Sequence, residues 1–278
     1  MPGILYIVAT PIGNLEDMTF RAVRTLKEAD LIAAEDTRHS RKLLAHFGIT
    51  TPLTSYYDHN QALKGERILK TLQEGRQVAL ISDAGTPCIS DPGYQLVRDA
   101  LSAGITVAPI PGACAAIAAL SAAGLPTNAF TFAGFPPNKE GKRRSFLASL
   151  TSAQGTVVLY EAPHRLKATL ADIATVLGER QVVVARELTK LYEECLRGTA
   201  SAVREQVQDG RERGEVVLLI APADEDSAQT EGPSAEEQIR ELLAKGHTVK
   251  EAAALVAAIT GLPKRELYAR ALIMKHKN

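Results

Sequence analysis

The chain has 278 residues, with 32 Lys or Arg and 32 Asp or Glu, so its formal net charge is zero. A zero net charge excludes a strong overall attraction to nucleic acid, and any basic surface has to be local. The three cysteines lack the CxxC spacing of a zinc site, and no uncharged apolar run is long enough to span a bilayer. We therefore predict a cytoplasmic protein with no metal site and no membrane contact.

The first part of the chain, residues 1–118, alternates apolar runs with amphipathic segments. Strands are predicted at 4–9, 31–34, 52–56, 78–81 and 106–110, and each is followed by a loop and a helical segment. For example, Phe20, Val23 and Leu26 recur with helical spacing after the first strand. Five such repeats predict a mostly parallel sheet covered by helices on both faces.

Four loops of this domain follow the carboxyl ends of predicted strands, at 10–14, 35–39, 83–87 and 111–114. Parallel strands bring these ends to one edge, so we predict that the loops converge on a cleft. The loop SDAGTPCISDPG at 82–93 combines a turn with a helix start, at which Asp91 would cap free amides and Pro92 would take the first helical position. Taken alone, this loop is equally compatible with a purely structural role.

None of the four loops has the GxGxxG or Walker A pattern of a nucleotide phosphate site. They are small and neutral, apart from the carboxylate of Asp83. Such a pocket favours a ligand with a flat apolar part and a cation or hydroxyl groups for Asp83 to bind.

A second domain is predicted over residues 119–223. Strands at 130–135, 157–160, 182–186, 191–197 and 215–221 are joined by short connections, which predicts a mixed or antiparallel sheet. The segments YEAPHR at 160–165 and ARELTK at 185–190 place acids beside bases at strand ends. This pattern is compatible with structural ion pairs or with an active site that faces a polyanion. The basic run NKEGKRR at 138–144 predicts either phosphate contacts or a solvated helix start.

Beyond an acidic linker predicted at 224–233, residues 234–278 are predicted to form three short helices. Capping boxes are expected at 234–237 and 248–251, and a turn at 260–263. From Thr248 onward there are six Lys or Arg against two Glu. The pattern is compatible with a helix-turn-helix that binds nucleic acid, or with a bundle that stabilises the fold or a dimer.

Several motifs resemble, in order along the chain, the bacterial family called ribosomal RNA small subunit methyltransferase I, in the tetrapyrrole methylase group. They are TPIGN at 10–14, EDTR at 35–38, SDAGTP at 82–87, ISDPG at 89–93, YEAPHR at 160–165 and RELTK at 186–190. The resemblance implies two α/β domains of the tetrapyrrole methylase type that bind S-adenosylmethionine between them, with a small helical extension. It also implies a homodimer that methylates the ribose 2′-hydroxyl of a cytidine in 16S ribosomal RNA.

The resemblance also suggests site residues. Those expected to bind S-adenosylmethionine are Pro11, Asp83, Gly85, Thr86, Ile89, Ala113, Cys114, Tyr160, Arg186 and Pro222. The candidate general bases are Glu161 and Glu187. Those expected to contact RNA are Arg38, Lys142, Arg143, Arg144, Arg165, Lys190, Lys264 and Arg265. A methyltransferase acting on a tetrapyrrole-like small molecule and a non-catalytic RNA-binding protein remain as alternatives.

Overall fold

The computed structural model describes residues 2–57, 61–207, 214–223, 235–245, 247–260 and 263–276. The chain divides into two units, Met1–Pro222 and Ala223–Asn278. The first unit contains two five-stranded sheets and the second contains helices.

The first sheet is entirely parallel, with the strand order β3-β2-β4-β1-β5. Its elements are β1 (Ile4–Val8), α1 (Phe20–Glu28), β2 (Leu31–Ala34), α2 (Thr37–His46), β3 (Leu53–Ser55), α3 (Gln61–Gln73), β4 (Val78–Ile81), α4 (Tyr94–Ser102) and β5 (Thr106–Ile110). All four residues of β4 are buried, because both faces of the sheet are covered by helices. The predicted parallel sheet is confirmed.

Helix α4 begins later than predicted. Its N-cap is Gly93, at φ 144°, and no side chain caps its first amides. Asp91 and Pro92 lie before the helix, so the predicted capping role of Asp91 is wrong. A Cβ atom at Gly93 would lie 2.5 Å from Cys88 Sγ, and this close approach requires glycine at the turn into α4.

The second sheet is mixed, as predicted, with the order β6-β7-β10-β8-β9. Only the pair β6–β7 is parallel. Its elements are α5 (Ala115–Ala123), β6 (Phe130–Phe132), α6 (Glu140–Ser149), β7 (Thr156–Glu161), α7 (Leu166–Leu177), β8 (Gln181–Arg186), β9 (Glu194–Thr199), α8 (Ala200–Gln206) and β10 (Val216–Ile220). Helix α5 packs on one face of this sheet, and α6, α7 and α8 pack on the other. The domain boundary predicted at residue 118 falls inside α5.

Strand β9 begins at Glu194, three residues after the predicted start at 191. Glu187 and Thr189 have φ angles of 52° and 66°, so the backbone turns there instead of remaining extended. The amide of Lys190 donates to the carbonyl of Glu187, and the amide of Glu193 donates to the carbonyl of Lys190. Residues 187–193 therefore form a hydrogen-bonded loop.

The second unit contains α9 (Ala235–Ala244), α10 (Val249–Thr260) and α11 (Lys264–His276). These helices share a small core that includes Ile239, Val256 and Leu267. The predicted capping box at 248–251 is confirmed, since the Thr248 amide donates to the Glu251 carboxylate and the Glu251 amide donates to Thr248 Oγ1. The acidic linker, Ser234 of the other capping box and the centre of the 260–263 turn lie outside the described residues. Within the described part of the chain, every helix is too short or too polar to cross a bilayer.

Candidate functional site

A cavity of about 390 Å³ lies between the loops of the first sheet and the second sheet. The first domain contributes Ile12, Glu35, Asp83, Ala84, Gly85, Thr86, Ile89, Ser90 and Asp91. The second sheet and its connections contribute Cys114, Ala115, Phe135, Tyr160, Glu161, Ala162, Pro163, Ala185, Leu188, Gly214, Glu215, Val216 and Val217. This volume is in the range of small-molecule sites.

Hydrogen bonds join the strand-end loops to one another, as the parallel sheet predicts. Thr10 and Gly85 exchange two backbone hydrogen bonds, with N···O distances of 2.8 and 3.0 Å. The Asp36 amide donates to Asp83 Oδ1 at 3.0 Å. Thr86 Oγ1 donates to the carbonyl of Ala113 at 3.2 Å. The four loops are therefore joined into one wall of the cavity, which the Asp83 carboxylate lines.

The backbone of the 82–93 loop is strained beside the cavity. Cys88 and Ser90 have φ angles of 71° and 66°, which side-chain-bearing residues rarely adopt. Such conformations cost about 1–3 kcal/mol each and persist where the surrounding contacts hold them. Burial, with a smaller contribution from Asp91, raises the pKa of the Cys88 thiol to about 11, which makes this sulfur a poor nucleophile.

The charged side chains that line the cavity are all acidic. They are Glu35, Asp83, Asp91, Glu161 and Glu215, and the described lining residues include no lysine or arginine. Burial raises the pKa of Asp91, and the nearby carboxylate of Asp83 raises it further, although a hydrogen bond from Ser82 partly opposes this. Such a cavity favours a cationic ligand and disfavours a phosphate inside it.

An aromatic cluster forms the second-domain wall. The ring of Tyr160 lies 4.9 Å from that of Phe132 and 5.5 Å from that of Phe135, measured between centroids. Burial raises the pKa of Tyr160 to about 12, so its hydroxyl stays neutral at physiological pH. This cluster gives the second-domain wall an apolar surface beside its carboxylates, Glu161 and Glu215.

Glu161, one of the two predicted general bases, is a structural carboxylate. Its side chain is fully buried, and it accepts hydrogen bonds from the Ala162 amide, from Thr169 Oγ1 at 2.5 Å and from the Arg165 guanidinium at 2.5 Å. Three donors occupy three of its about four acceptor sites, and the full burial of the side chain leaves a substrate hydroxyl little access to the fourth. The geometry therefore argues against Glu161 as the base.

Glu187, the other predicted base, is not among the residues that line the cavity. Burial alone would raise its pKa, but hydrogen bonds from Lys190 Nζ and the Glu215 amide outweigh burial and lower it. A lowered pKa weakens a carboxylate as a proton acceptor. This residue instead holds Lys190, whose aliphatic stem packs over Gly13 of the first domain.

Two predicted cofactor residues of the second domain lie away from the cavity. Side chains alternate along β8, so Ala185 faces the cavity while Arg186 faces a smaller cavity on the other side of the sheet, paired with Glu194 at 3.2 Å. Strand β10 is antiparallel to β7, so its amino end lies at the cavity and Pro222, beyond its carboxyl end, lies at the opposite edge. Both assignments are corrected.

The predicted cofactor residues in the first domain and at the start of α5 lie at or beside the cavity. Asp83, Gly85, Thr86, Ile89 and Cys114 line it, as does Tyr160 of the second domain. Pro11 and Ala113 lie one residue away from the lining residues Ile12 and Cys114.

Two of the predicted RNA-contacting arginines are held in ion pairs within the protein. Arg143 is only 6% exposed, and its Nη2 atom lies 2.7 Å from the buried Asp172 carboxylate. Arg165 is held by Glu161 and by the carbonyl of Pro136. Residue type alone could not distinguish these buried ion pairs from phosphate contacts, so both assignments are corrected.

The remaining predicted RNA-contacting side chains differ in their present partners. Arg38, Arg144, Lys142, Lys264 and Arg265 are exposed. Arg38 is paired with Asp36, and Arg144 is paired with Glu140 and Asp172. Lys190 is half-buried and paired with Glu187 and Glu215.

Three of the lining residues that sequence reasoning missed are informative. Phe135 follows β6, which is parallel to β7, so the strand-end rule applied to the second domain could have found it. Glu215 precedes a strand, whereas the rule considers only the residues that follow one. Asp91 was assigned to helix capping, and only its exposure to the cavity shows otherwise.

Replacing Asp91 by asparagine should raise the midpoint of thermal unfolding at pH 7. The pKa of Asp91 in the folded state is raised above its ordinary value of 3.8, so the ionised carboxylate destabilises the fold. This penalty is absent at pH values below the pKa of Asp91 in the unfolded protein. It grows as the pH rises through the pKa of Asp91 in the folded protein. Calorimetry across this range should show the difference shrinking toward zero near pH 4. Asp17→Asn, at an exposed position, is the control; equal midpoints for Asp91→Asn and the unmodified protein at pH 7 would contradict the expectation.

Comparison with known proteins identifies relatives for both units. A family model described as Tetrapyrrole (Corrin/Porphyrin) Methylases matches residues 4–204, and one described as RsmI C-terminal HTH domain matches residues 230–275. A protein of Synechocystis named Ribosomal RNA small subunit methyltransferase I is 52% identical over 96% of this chain and 96% of its own length. The protein of the same name from Halalkalibacterium halodurans is 50% identical over 96% and 93%.

A solved structure shares the fold. Uroporphyrin-III C-methyltransferase from Thermus thermophilus, in complex with S-adenosylhomocysteine, aligns with a TM-score of 0.54 and 21% identity, over 78% of this chain and 97% of that one. The match to the methylase family and the full-length relatives named as methyltransferases confirm the predicted use of S-adenosylmethionine. The chain belongs to the tetrapyrrole methylase family and, within it, to the ribosomal RNA small subunit methyltransferase I group.

Proposed function

We propose that this protein transfers a methyl group from S-adenosylmethionine to the ribose 2′-hydroxyl of a cytidine in 16S ribosomal RNA of the small subunit. The observation that carries the proposal is the 46–52% identity, over 96% or more of this chain, to proteins named for small-subunit ribosomal RNA methylation. The predicted cytoplasmic location and homodimer belong to the same proposal.

The cavity fits the donor. S-adenosylmethionine carries positive charges on its sulfonium and ammonium groups, and the charged groups that line the cavity are carboxylates. Asp83, with Gly85 and Thr86 beside it, would bind the polar part of the donor. Ile89, Cys114 and Tyr160 would contact its apolar part. When bound, the donor supplies an electrophilic methyl group on a positively charged sulfur.

The protein's own contribution is to orient the hydroxyl, exclude water and accept a proton. Correct positioning of two reacting groups lowers a barrier by several kcal/mol. Among the carboxylates, Asp91 replaces Glu161 and Glu187 as the proposed proton acceptor, because it lines the cavity and its pKa is raised, whereas that of Glu187 is lowered. The variant Asp91→Asn should therefore be more stable and yet slower, by about 100-fold in single-turnover methylation.

Methylation of defined substrates tests the proposed reaction. The protein and labelled S-adenosylmethionine are incubated with 30S particles and, separately, with deproteinised 16S RNA. The RNA is then digested to nucleosides and analysed by mass spectrometry. A new 2′-O-methylcytidine supports the proposal. A methyl group on a base, or label transferred only to a tetrapyrrole offered in parallel, would contradict it.

The helical extension is proposed to bind RNA through Lys264 and Arg265. Changing both to glutamate should weaken binding to 16S RNA and flatten its dependence on salt, reducing the slope of log K against log salt by about 2. Affinity for S-adenosylmethionine should not change. Lys27→Glu on α1, also exposed, is the matched control for added negative charge. An unchanged salt slope would assign the extension to stabilisation of the fold or of a dimer.

A further inference from the structure

The charges of the site constrain how an RNA strand can approach it. The cavity is lined by five carboxylates and, among the described residues, by no cation. Glu161 and Glu215 are paired with Arg165 and Lys190, which lie outside the lining, whereas Asp83 and Asp91 make no ion pair with the described residues. These two carboxylates disfavour a phosphate group in the interior, while an uncharged ribose can approach the donor. The backbone phosphates and the bases beside the target have to be bound at the rim.

Phe135 is the aromatic side chain at this rim. It lines the cavity, and yet 55% of its surface is exposed. Its ring rests against Tyr160, which in turn packs on Phe132. One side of Phe135 is thus supported by packed aromatic rings, and much of the rest of the ring is open to solvent.

The segment that carries Phe135, residues 134–138, is firmly held. The carbonyl of Gly134 accepts from the Tyr160 amide at 2.9 Å. Arg165 donates to the Pro136 carbonyl at 3.2 Å and to the Asn138 side chain. Arg143 donates to the Asn138 carbonyl at 3.3 Å.

Both of these arginines are anchored by buried carboxylates. Arg165 is paired with Glu161, and Arg143 with Asp172. A buried ion pair contributes little net stability compared with apolar packing. Its clear effect here is to fix the backbone of residues 134–138, and so to present the Phe135 ring in one orientation.

Two lysine side chains without ion-pair partners among the described residues follow residues 134–138 in the chain. Lys139 and Lys142 are exposed, and neither side chain makes an ion pair or hydrogen bond with the described residues. They lie at the start of α6, whose N-cap, Lys139, offers no side-chain hydrogen bond to the first amides. Backbone phosphates of a strand that lies across Phe135 would meet these charges.

We propose that Phe135 is a stacking platform for a base of the RNA substrate, and that Lys139 and Lys142 bind the phosphates next to that nucleotide. Stacking on an aromatic ring tolerates any base, so the platform would hold the strand without reading its sequence. The proposal rests on the proposed function, because it takes RNA as the substrate.

The test uses full-length protein with Phe135→Ala, Phe135→Trp and the control Phe130→Ala. Phe130 has a similar exposure, 44%, and lies at the other end of β6, away from the cavity. Phe135→Ala should weaken binding to 16S RNA or 30S particles by about 5- to 150-fold and raise KM for RNA. Phe135→Trp should restore affinity, and Phe130→Ala should leave it unchanged. The dissociation constant for S-adenosylmethionine should be the same in all four proteins.

Two results would overturn the platform. The first is an unchanged RNA affinity in Phe135→Ala. The second is a loss of S-adenosylmethionine affinity with RNA affinity intact, which would make Phe135 a donor contact. If the unmodified protein methylates RNA and Phe135→Ala binds RNA equally well, only the platform fails. If the unmodified protein transfers no methyl to RNA while RNA binding still depends on Phe135, only the proposed function fails.

The lysines have a test of their own. Changing Lys139 and Lys142 to alanine should reduce the salt slope of RNA binding by about 2, whereas Phe135→Ala should leave the slope unchanged. A salt slope that the lysine changes do not alter would overturn their role as phosphate contacts.

Discussion

Replacing Asp172 by alanine should destabilise the first unit by about 3–5 kcal/mol. The Asp172 side chain is 3% exposed and lies 2.7 Å from both Arg143 and Arg144. Arg143 is itself 7% exposed in its side chain, so loss of Asp172 leaves a buried positive charge without its carboxylate partner. Urea-induced unfolding, followed by circular dichroism, measures the change.

Two further variants make this result interpretable. Glu74→Ala removes an exposed carboxylate 3.8 Å from Arg76 and should cost at most about 1 kcal/mol. Asp172→Asn keeps a hydrogen-bond acceptor and removes only the charge, so its loss of unfolding free energy should lie between those of Asp172→Ala and Glu74→Ala. If Asp172→Ala unfolded at the same urea concentration as Glu74→Ala, the ion pair would have no structural role.

Replacing Asp83 by alanine should weaken the binding of S-adenosylmethionine by about 10- to 100-fold, the effect of losing one charged hydrogen bond. Asp83 lines the cavity, and its Oδ1 atom accepts from the Asp36 amide. Its Oδ2 atom has no hydrogen bond from the described part of the chain, which leaves it available to a ligand. Titration calorimetry with S-adenosylmethionine measures the change.

The control for Asp83→Ala has to separate ligand binding from loop structure. Asp83→Asn retains an acceptor for the Asp36 amide, so it tests the charge alone and should also bind the donor weakly. Asp17→Ala removes an exposed carboxylate of the same domain and should leave affinity unchanged. If Asp83→Ala bound the donor as tightly as Asp17→Ala does, the 82–93 loop would be only a structural connection.

Most of the first domain follows from its sequence because its architecture is regular. Each apolar run predicts a buried strand, and parallel pairing then brings the loops after those strands to one edge. Asp83, Gly85 and Thr86 could be assigned to the cavity on this ground before any contact was known. The error at Asp91 arose because a carboxylate beside a proline before a helix is also the pattern of a helix cap.

The second domain could not be predicted to the same depth, because its sheet is mixed. Where strands run in both directions, either end of a strand can face the cavity, so Glu215 at the amino end of β10 lines it and Pro222 does not. Because side chains alternate along β8, the adjacent residues Ala185 and Arg186 face opposite sides of the sheet. Strand direction and register both depend on distant pairing partners.

The alternation of strands and helices, the parallel first sheet, the loops that meet at its edge and the resemblance to a methylase family all follow from the amino-acid sequence. Apart from Asp83, the charged residues that face the cavity could be identified only from the folded structure. Glu161, Arg143 and Arg165 are of residue types common in active sites, but here they form buried ion pairs. The physical reason is that a hydrophobic pattern specifies which face of an element is buried, whereas the partner of a charge is set by side chains far away in the chain.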